Sequence, residues 1–225
     1  METALIVGAG SGLSASLARL LEQENFRVAL AARNPDKLIG FSNSLLLRCD
    51  ATEADQVEDT FKAMEKKWGV PDLVVYNASF RTRGPFIELQ QQDVRKTLEV
   101  SAFAGFLVAQ AAAKRMLPRG SGAIFFTGAS ASVKGYAQSA PFAMGKFALR
   151  GLAQSMAREL SPQGIHVAHF VIDGGIRNPG RTEPSDQPDS MLDPDAIAAS
   201  YWHVVQQPRS AWTWEVELRP WVERF

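Results

Sequence analysis

Residues 3–7 read Thr-Ala-Leu-Ile-Val, and the next seven read Gly8-Ala9-Gly10-Ser11-Gly12-Leu13-Ser14. An apolar run of five bounded by glycine is a buried strand. Leu13, Leu17, Leu20 and Leu21 then recur at helical spacing, so the glycine loop joins a first strand to the N-terminus of a first helix. Glycines let the backbone turn tightly and approach a ligand closely. The helix end adds free N–H groups and a positive dipole end, both suited to phosphate oxygens. A plain glycine-rich turn uses the same residues. The placement between strand and helix instead points to a dinucleotide pyrophosphate on Gly8, Gly10, Ser11, Gly12 and Leu13.

The alternation continues along the chain. Further strands are expected at Arg27–Ala32, Leu45–Cys49, Leu73–Tyr76, Ala123–Thr127, His166–Ile172 and Trp212–Leu218. In the last, Trp212, Trp214, Val216 and Leu218 alternate with Thr213, Glu215, Glu217 and Arg219, the period of a half-exposed strand. Helices are expected at Glu53–Lys67, Gln91–Met116, Pro141–Leu160 and Asp193–Gln206. Asp193 is the expected N-cap of the last, with Pro194 in its first turn. Strand–helix alternation predicts an α/β fold, a doubly wound parallel sheet of about seven strands with right-handed crossovers. At 225 residues, one domain over 1–225 is expected. Arg177–Asp193 is dense in Pro, Ser and Asp. It reads as a mobile substrate loop over the C-terminal edge of the sheet, or as a loop with no role.

Composition excludes several classes. Lys+Arg and Asp+Glu are 24 each, so no basic excess exists to neutralise a nucleic-acid backbone. Cys49 is the one cysteine, which rules out an intrachain disulfide framework and a Cys-clustered zinc site and suits a reducing compartment. The longest apolar stretch, around Phe103–Ala113, is interrupted by Gln110 and falls short of the ~18–20 residues of a membrane span. No signal-peptide pattern precedes the first strand. The expectation is a soluble cytoplasmic protein with no metal, no membrane and no nucleic-acid partner. His166 and His169 are read as structural, sharing neither a face with each other nor a carboxylate.

The end of the second strand sets cofactor preference. An acidic residue there binds the adenosine ribose of NAD. Ala32 is followed instead by Arg33 and Asn34. A guanidinium forks well onto a 2′-phosphate, so NADP(H) is favoured over NAD(H), unless Arg33 is a simple surface arginine. Asp50, at the end of the third strand, is placed to touch the adenine.

Gly8-x-x-x-Gly12, Asp50-Ala51, Asn77-Ala78, Gln110-Ala111, Lys146 in Phe-Ala-Met-Gly-Lys, Met156-Ala-Arg-Glu-Leu and Gly164-Ile-His-Val together resemble the short-chain dehydrogenase/reductase family over nearly the whole chain. The resemblance implies a Rossmann domain and NAD(P)(H) binding at Gly8–Leu13, Asp50, Ala51, Asn77, Ala78, Lys146 and Gly174. It also implies a homodimer or homotetramer packed through the helix around Ser101–Met116. That helix carries Ala102, Ala104, Gly105, Ala109 and Ala111–Ala113, small residues that suit close helix approach and equally suit packing within one chain.

The departures from the family pattern bear on chemistry. The resemblance implies a tyrosine four residues before the lysine, on one helix face. That position is Phe142, which has no proton to give. The family's serine falls on Ala129 and its asparagine on Ser101. Its third loop glycine falls on Ser14, whose bulk is expected to reduce cofactor affinity somewhat. Its Pro-Gly after the sixth strand falls on Asp173-Gly174. Loss of a positioned general acid costs about 10²–10⁴ in rate. Candidate replacements are Ser130 and Ser132 near the vacated serine place, Tyr136, and Asp173. Each has a plain reading: a loop-capping serine, a packed pocket wall, a turn aspartate. Lys146 holds the ribose hydroxyls or is a solvated helix lysine. The aromatics Trp202, Trp212, Trp214, Trp221 and Phe225 shape a pocket, cover a partner subunit or, more plainly, pack the core. Three functions follow. One is an NADP(H)-dependent oxidoreductase acting on an activated acceptor such as a conjugated C=C. The second is a carbonyl reductase with a substitute acid. The third is a catalytically inactive NADP(H)-binding sensor or oligomeric scaffold.

Overall fold

The computed structural model describes residues 1–38 and 40–223; Phe225, one of the tail aromatics, lies outside the described residues. Seven strands form one parallel sheet: β1 (Thr3–Val7), β2 (Arg27–Ala32), β3 (Leu45–Arg48), β4 (Leu73–Tyr76), β5 (Gly122–Thr127), β6 (Ile165–Ile172) and β7 (Glu215–Leu218). Their spatial order is β3-β2-β1-β4-β5-β6-β7. The chain reverses direction across the sheet between β3 and β4, so the crevice where such sheets bind ligands opens beyond β1 and β4. Among the described residues six α-helices flank the sheet: α1 (Leu13–Gln23), α2 (Ala54–Trp68), α3 (Gln91–Leu98), α4 (Ala104–Met116), α5 (Ala140–Leu160) and α6 (Pro194–Val205).

The inner strands β1, β4 and β6 are buried along their whole length because both faces are covered, whereas the edge strands β3 and β7 are partly exposed. In β1, Leu5 and Val7 join the core under α2, α4 and α5. Ala4 and Ile6 join the core under α1 and α6. Asp193 caps α6, its Oδ1 accepting from the Asp195 N–H at 2.9 Å.

Three expectations need correction. The helix expected over Gln91–Met116 is interrupted by a π-helical turn at Glu99–Phe103. There the Tyr76 hydroxyl donates to the Val100 carbonyl. Buried Ser101 exchanges hydrogen bonds with the Phe80 backbone at 3.3 and 3.4 Å. The extra residue thereby anchors the loop after β4, and such turns gather at functional sites.

Second, β7 begins at Glu215, not Trp212: residues 212–214 form an irregular link between a 3₁₀ turn at Arg209–Ala211 and the strand. His166 Nε2 donates to the Thr213 carbonyl at 2.9 Å, and its ring stacks on Trp212 at 4.6 Å. Third, His169 does meet a carboxylate. Its Nδ1 lies 3.1 Å from Glu215 Oε2, and Arg150 holds the same carboxylate through two bonds of 2.6 and 2.7 Å. Burial pushes His169 down to about 4.

Most of the small residues of the long helix pack within the chain, and Ala102 is partly exposed. Ala104, Ala109 and Ala112 are fully buried, and Gly105 sits against Leu149 and Tyr76. The exposed side of that helix shows Phe103 and Phe106 instead, stacked at 6.1 Å. Among the tail aromatics, Trp202 packs edge-on to Phe26 and Trp214 lies under Arg150, while Trp221 is exposed. Among the described residues no helix is long and apolar enough to cross a membrane.

Candidate functional site

Gly8 leaves β1 at φ +85°, and a Cβ there would fall 2.3 Å from the Ala78 nitrogen. Only glycine allows this crossing of the β1 and β4 ends. It places the glycine loop beside Asn77 and Ala78. Gly10 faces open space, which leaves its backbone approachable. Ser14 is buried rather than intrusive. Its hydroxyl donates to the Gly8 carbonyl at 3.2 Å and accepts from Asn77 Nδ2 at 2.6 Å. The side chain expected to disturb the loop therefore ties it to β4.

Two hollows open at the C-terminal ends of the strands and meet at Asn77 and Ser79. The first, about 460 Å³, lies over β1–β3. Its lining includes Gly8, Arg33, Asp50, Ala51, Asn77 and Ala78. Asp50 Oδ1 accepts from the Thr52 N–H and hydroxyl at 3.1 and 2.8 Å, which fixes the turn that shapes this wall. On the other side of Arg33 a further recess is lined by Gly10, Ser11, Asn34 and Lys37. Asn34 Oδ1 accepts from the Asp36 N–H at 3.2 Å and so starts the 3₁₀ turn that carries Lys37. Lys37 was not expected from the sequence. Its signal is its position one short turn after Arg33.

The second hollow, about 330 Å³, lies over β4–β6. Its lining includes Thr127, Ser130, Tyr136, Phe142, Lys146 and Gly174. Phe142 and Lys146 are four residues apart on α5, so one helix face presents both. Lys146 is not the solvated lysine of the plain reading. It is 3% exposed and donates to the Thr127 carbonyl at 2.8 Å. Burial alone pulls its ammonium down to about 8. Its Nζ stands 5.8 Å from the Phe142 ring centre.

The expected substitutes for a tyrosine separate. Ser130 and half-exposed Tyr136 line the second hollow. Ser132 is fully buried and its hydroxyl accepts from the Ala129 N–H at 3.1 Å, a capping role. Asp173 does not line the hollow. It is 2% exposed and its Oδ2 accepts from Lys134 Nζ at 2.8 Å, and that bond raises the lysine. Its carboxylate is thus engaged with an ammonium rather than turned toward the hollow. Ser101 lies behind the wall, against Gly145.

The loop 177–193 is irregular but internally bonded. Arg177 pairs with Asp193 at 2.6 Å, and the Met191 N–H donates to Glu183 at 3.0 Å. Its residue Asn178 was not expected at the site. Asn178 packs over Gly12 and, with Ile176, closes the glycine loop from above. Among the described residues no group of three or more His, Cys, Asp or Glu is placed to hold a metal.

This geometry has close counterparts. The chain is 27% identical over 226 residues to an uncharacterized oxidoreductase of Staphylococcus aureus strain N315, covering 96% of each. A solved short-chain dehydrogenase from Rhodopseudomonas palustris shares 36% identity at a TM-score of 0.83, covering 98% of this chain and 99% of that one. An alcohol dehydrogenase from Thermococcus sibiricus, complexed with 5-hydroxy-NADP, has the same fold at a TM-score of 0.89 and 23% identity, covering 100% and 98%. The family model described as short chain dehydrogenase matches residues 2–187. With its sheet order, glycine loop and buried α5 lysine, the chain belongs to the short-chain dehydrogenase family.

Proposed function

We propose that the protein is an NADP(H)-dependent oxidoreductase that moves a hydride to or from a small organic molecule without a tyrosine acid. The observation that carries this reading is the continuous cleft. It runs from Arg33 and Lys37, past the glycine loop, to buried Lys146. No acidic side chain within ion-pair distance claims Arg33 or Lys37 among the described residues. Arg33 and Lys37 would hold a 2′-phosphate, with Asn34 beside them. The N–H groups around Gly10–Leu13 would hold the pyrophosphate, and Asp50 and Ala51 would flank the adenine. Asn77, Ala78 and Gly174 border the path to Lys146, whose ammonium would bind the ribose hydroxyls. A bound nicotinamide supplies the hydride chemistry. The solved relative with a 5-hydroxy-NADP ligand has the same fold, in keeping with this use of the cleft.

The proton side of the reaction distinguishes this chain. Phe142 has no hydroxyl, and Asp173 is engaged with Lys134. Tyr136 and Ser130 remain as hydroxyls on the cleft wall. Lys146 donates to the Thr127 carbonyl and to neither hydroxyl. An acceptor that needs little acid assistance, such as a conjugated C=C, suits that wall better than a simple ketone.

Thermal unfolding with saturating NADPH or NADH tests the reading. Ligand at about 100 times its Kd stabilises by about 2.7 kcal/mol, roughly 5–11 °C for a chain of this size. The expected outcome is a shift of that order with NADPH and a much smaller one with NADH. Arg33→Ala should bring the NADPH shift down toward the NADH value. Equal shifts, or none, would overturn the assignment. Phe142 also favours a second reading, a nucleotide-binding sensor or scaffold. It requires NADPH binding without hydride exchange across a panel of enones and ketones.

A further inference from the structure

The second hollow carries a charge imbalance that hydride chemistry does not require. Arg81, in the loop after β4, and Arg181, in the loop after β6, both line it together with Phe142 and Lys146. None of its lining residues is Asp or Glu. The chain as a whole has no net charge, so this excess is local.

Both arginines are placed rather than loose. The Arg81 guanidinium lies 5.0 Å over the Phe142 ring. Partial burial, with Arg83 and Arg181 as like-charged neighbours, holds it below the usual guanidinium value. Arg181 is fixed by a reciprocal backbone pair with Asn178 at 2.9 and 3.0 Å. Its guanidinium seats against Gly175, where a Cβ would fall 2.6 Å from the arginine nitrogen. Arg177, in the same loop, shows the ordinary solution, an ion pair with Asp193 at 2.6 Å. Arg81 and Arg181 have no such carboxylate among the described residues. Gathering like charges at a cleft costs free energy that a bound counter-charge recovers.

We propose that the reacting molecule carries an oxyanion, a carboxylate in the simplest case, gripped by Arg81 and Arg181 over the Phe142 ring. This rests on the oxidoreductase reading of the same cleft. Guanidinium forks match carboxylate geometry. The cofactor's pyrophosphate is the other source of oxyanion, because Arg181 also borders a recess with Ser11 and Arg19. Arg81 lines the Phe142 hollow and not that recess, which favours the substrate.

The test is calorimetric binding of two matched pairs, 4-oxopentanoate with its methyl ester and cinnamate with its methyl ester, to NADP⁺-saturated protein. Arg81→Gln and Arg181→Gln are compared with the parent. Both side chains are exposed, and melting temperatures check that the variants fold. Each acid should bind about tenfold or more tighter than its ester, the scale of a charged hydrogen bond. Either variant should bring acid and ester close to parity, with NADP⁺ affinity changed less than about threefold. Three results would overturn the proposal: equal binding of acid and ester, no binding of any probe below about 10 mM, or a loss in Arg81→Gln that falls on NADP⁺ instead. A tenfold loss of NADP⁺ affinity in Arg181→Gln with acid preference kept would give that arginine to the pyrophosphate and overturn the pair. If NADP⁺ does not bind the parent, the oxidoreductase reading fails separately, and the acid-against-ester comparison on ligand-free protein still decides the role of the arginines.

Discussion

The two ends of the cleft lie along the same edge of the sheet and are built differently. At the β1–β3 end, backbone does most of the work: Gly8 crosses at a φ no other residue adopts easily, and the Gly10 backbone is left open. At the β4–β6 end, side chains do the work, and several differ from what the family resemblance implies. Phe142 stands four residues before Lys146, Ala129 precedes the serines, and Ser101 sits in a π-turn behind the wall. A backbone-built site tolerates substitution around it, because its donors are not side chains. A side-chain site changes its chemistry with one residue. The contrast teaches that cofactor binding and reaction type can part company in one fold.

Restoring the missing phenol tests that contrast most severely. Phe142→Tyr puts a hydroxyl on the α5 face that already presents Lys146. If the reacting end has lost only its acid, ketone reduction should rise by about 10²–10⁴, read as kcat/KM on simple ketones. The fold should tolerate the change, since the ring is 9% exposed at a cleft wall. No rise would show that the hollow has been rebuilt around another acceptor, in line with the conjugated C=C reading.

A smaller effect reads Lys146 itself. Burial lowers its ammonium to about 8, from an ordinary value of 10.5. Below pH 8 both folded and unfolded chains carry the proton, and the folded state bears the full cost of a buried charge. Between about pH 8 and 10.5 the unfolded chain binds more protons, so stability rises with pH across that window. The contribution is on the order of 3 kcal/mol. Urea unfolding of ligand-free protein at pH 8 and pH 10 should show the parent gaining on Lys146→Met by that order. A constant difference between the two would mean the amine is solvated, contrary to its 3% exposure.

Sequence reasoning reached the two ends unequally, for a physical reason. Strands, helices and the glycine loop follow from local periodicity and backbone chemistry, so the sheet and most of the cofactor wall were legible. Asp50, Asn77 and Arg33 all line the hollows as their positions at strand ends imply. What was not legible depends on neighbours distant in sequence. Asp173 meets Lys134 across 39 positions, and His169 meets Glu215 across 46. Alternation on one strand says nothing of a carboxylate delivered by the next. The π-turn was hidden because the bonds made there, from Tyr76 to Val100 and between Ser101 and Phe80, link residues more than twenty positions apart. Arg81 and Arg181 sit in loops with no periodicity, and only the fold brings them to one hollow.

The smallest expected effect concerns Ser14, where sequence and structure pull in opposite directions. As a departure from the family's glycine it reads as added bulk and weaker cofactor binding. In place, it is 3% exposed and links the Gly8 carbonyl to Asn77 Nδ2. Ser14→Ala keeps nearly the same volume but removes both bonds, leaving the Asn77 amide without this partner. Each such hydrogen bond contributes about 1 kcal/mol net, so losing two lowers the melting temperature by roughly 4–8 °C for a chain of this size. Ser14→Gly should fall further, because glycine inside a helix costs about 1 kcal/mol more than alanine. If the hydroxyl orders the loop, NADPH affinity should drop a few fold in both variants. Tighter NADPH binding in Ser14→Gly would instead show that the side chain obstructs the pyrophosphate. The β1 end would then depend on a side chain as the β4–β6 end does, and the contrast between them would weaken.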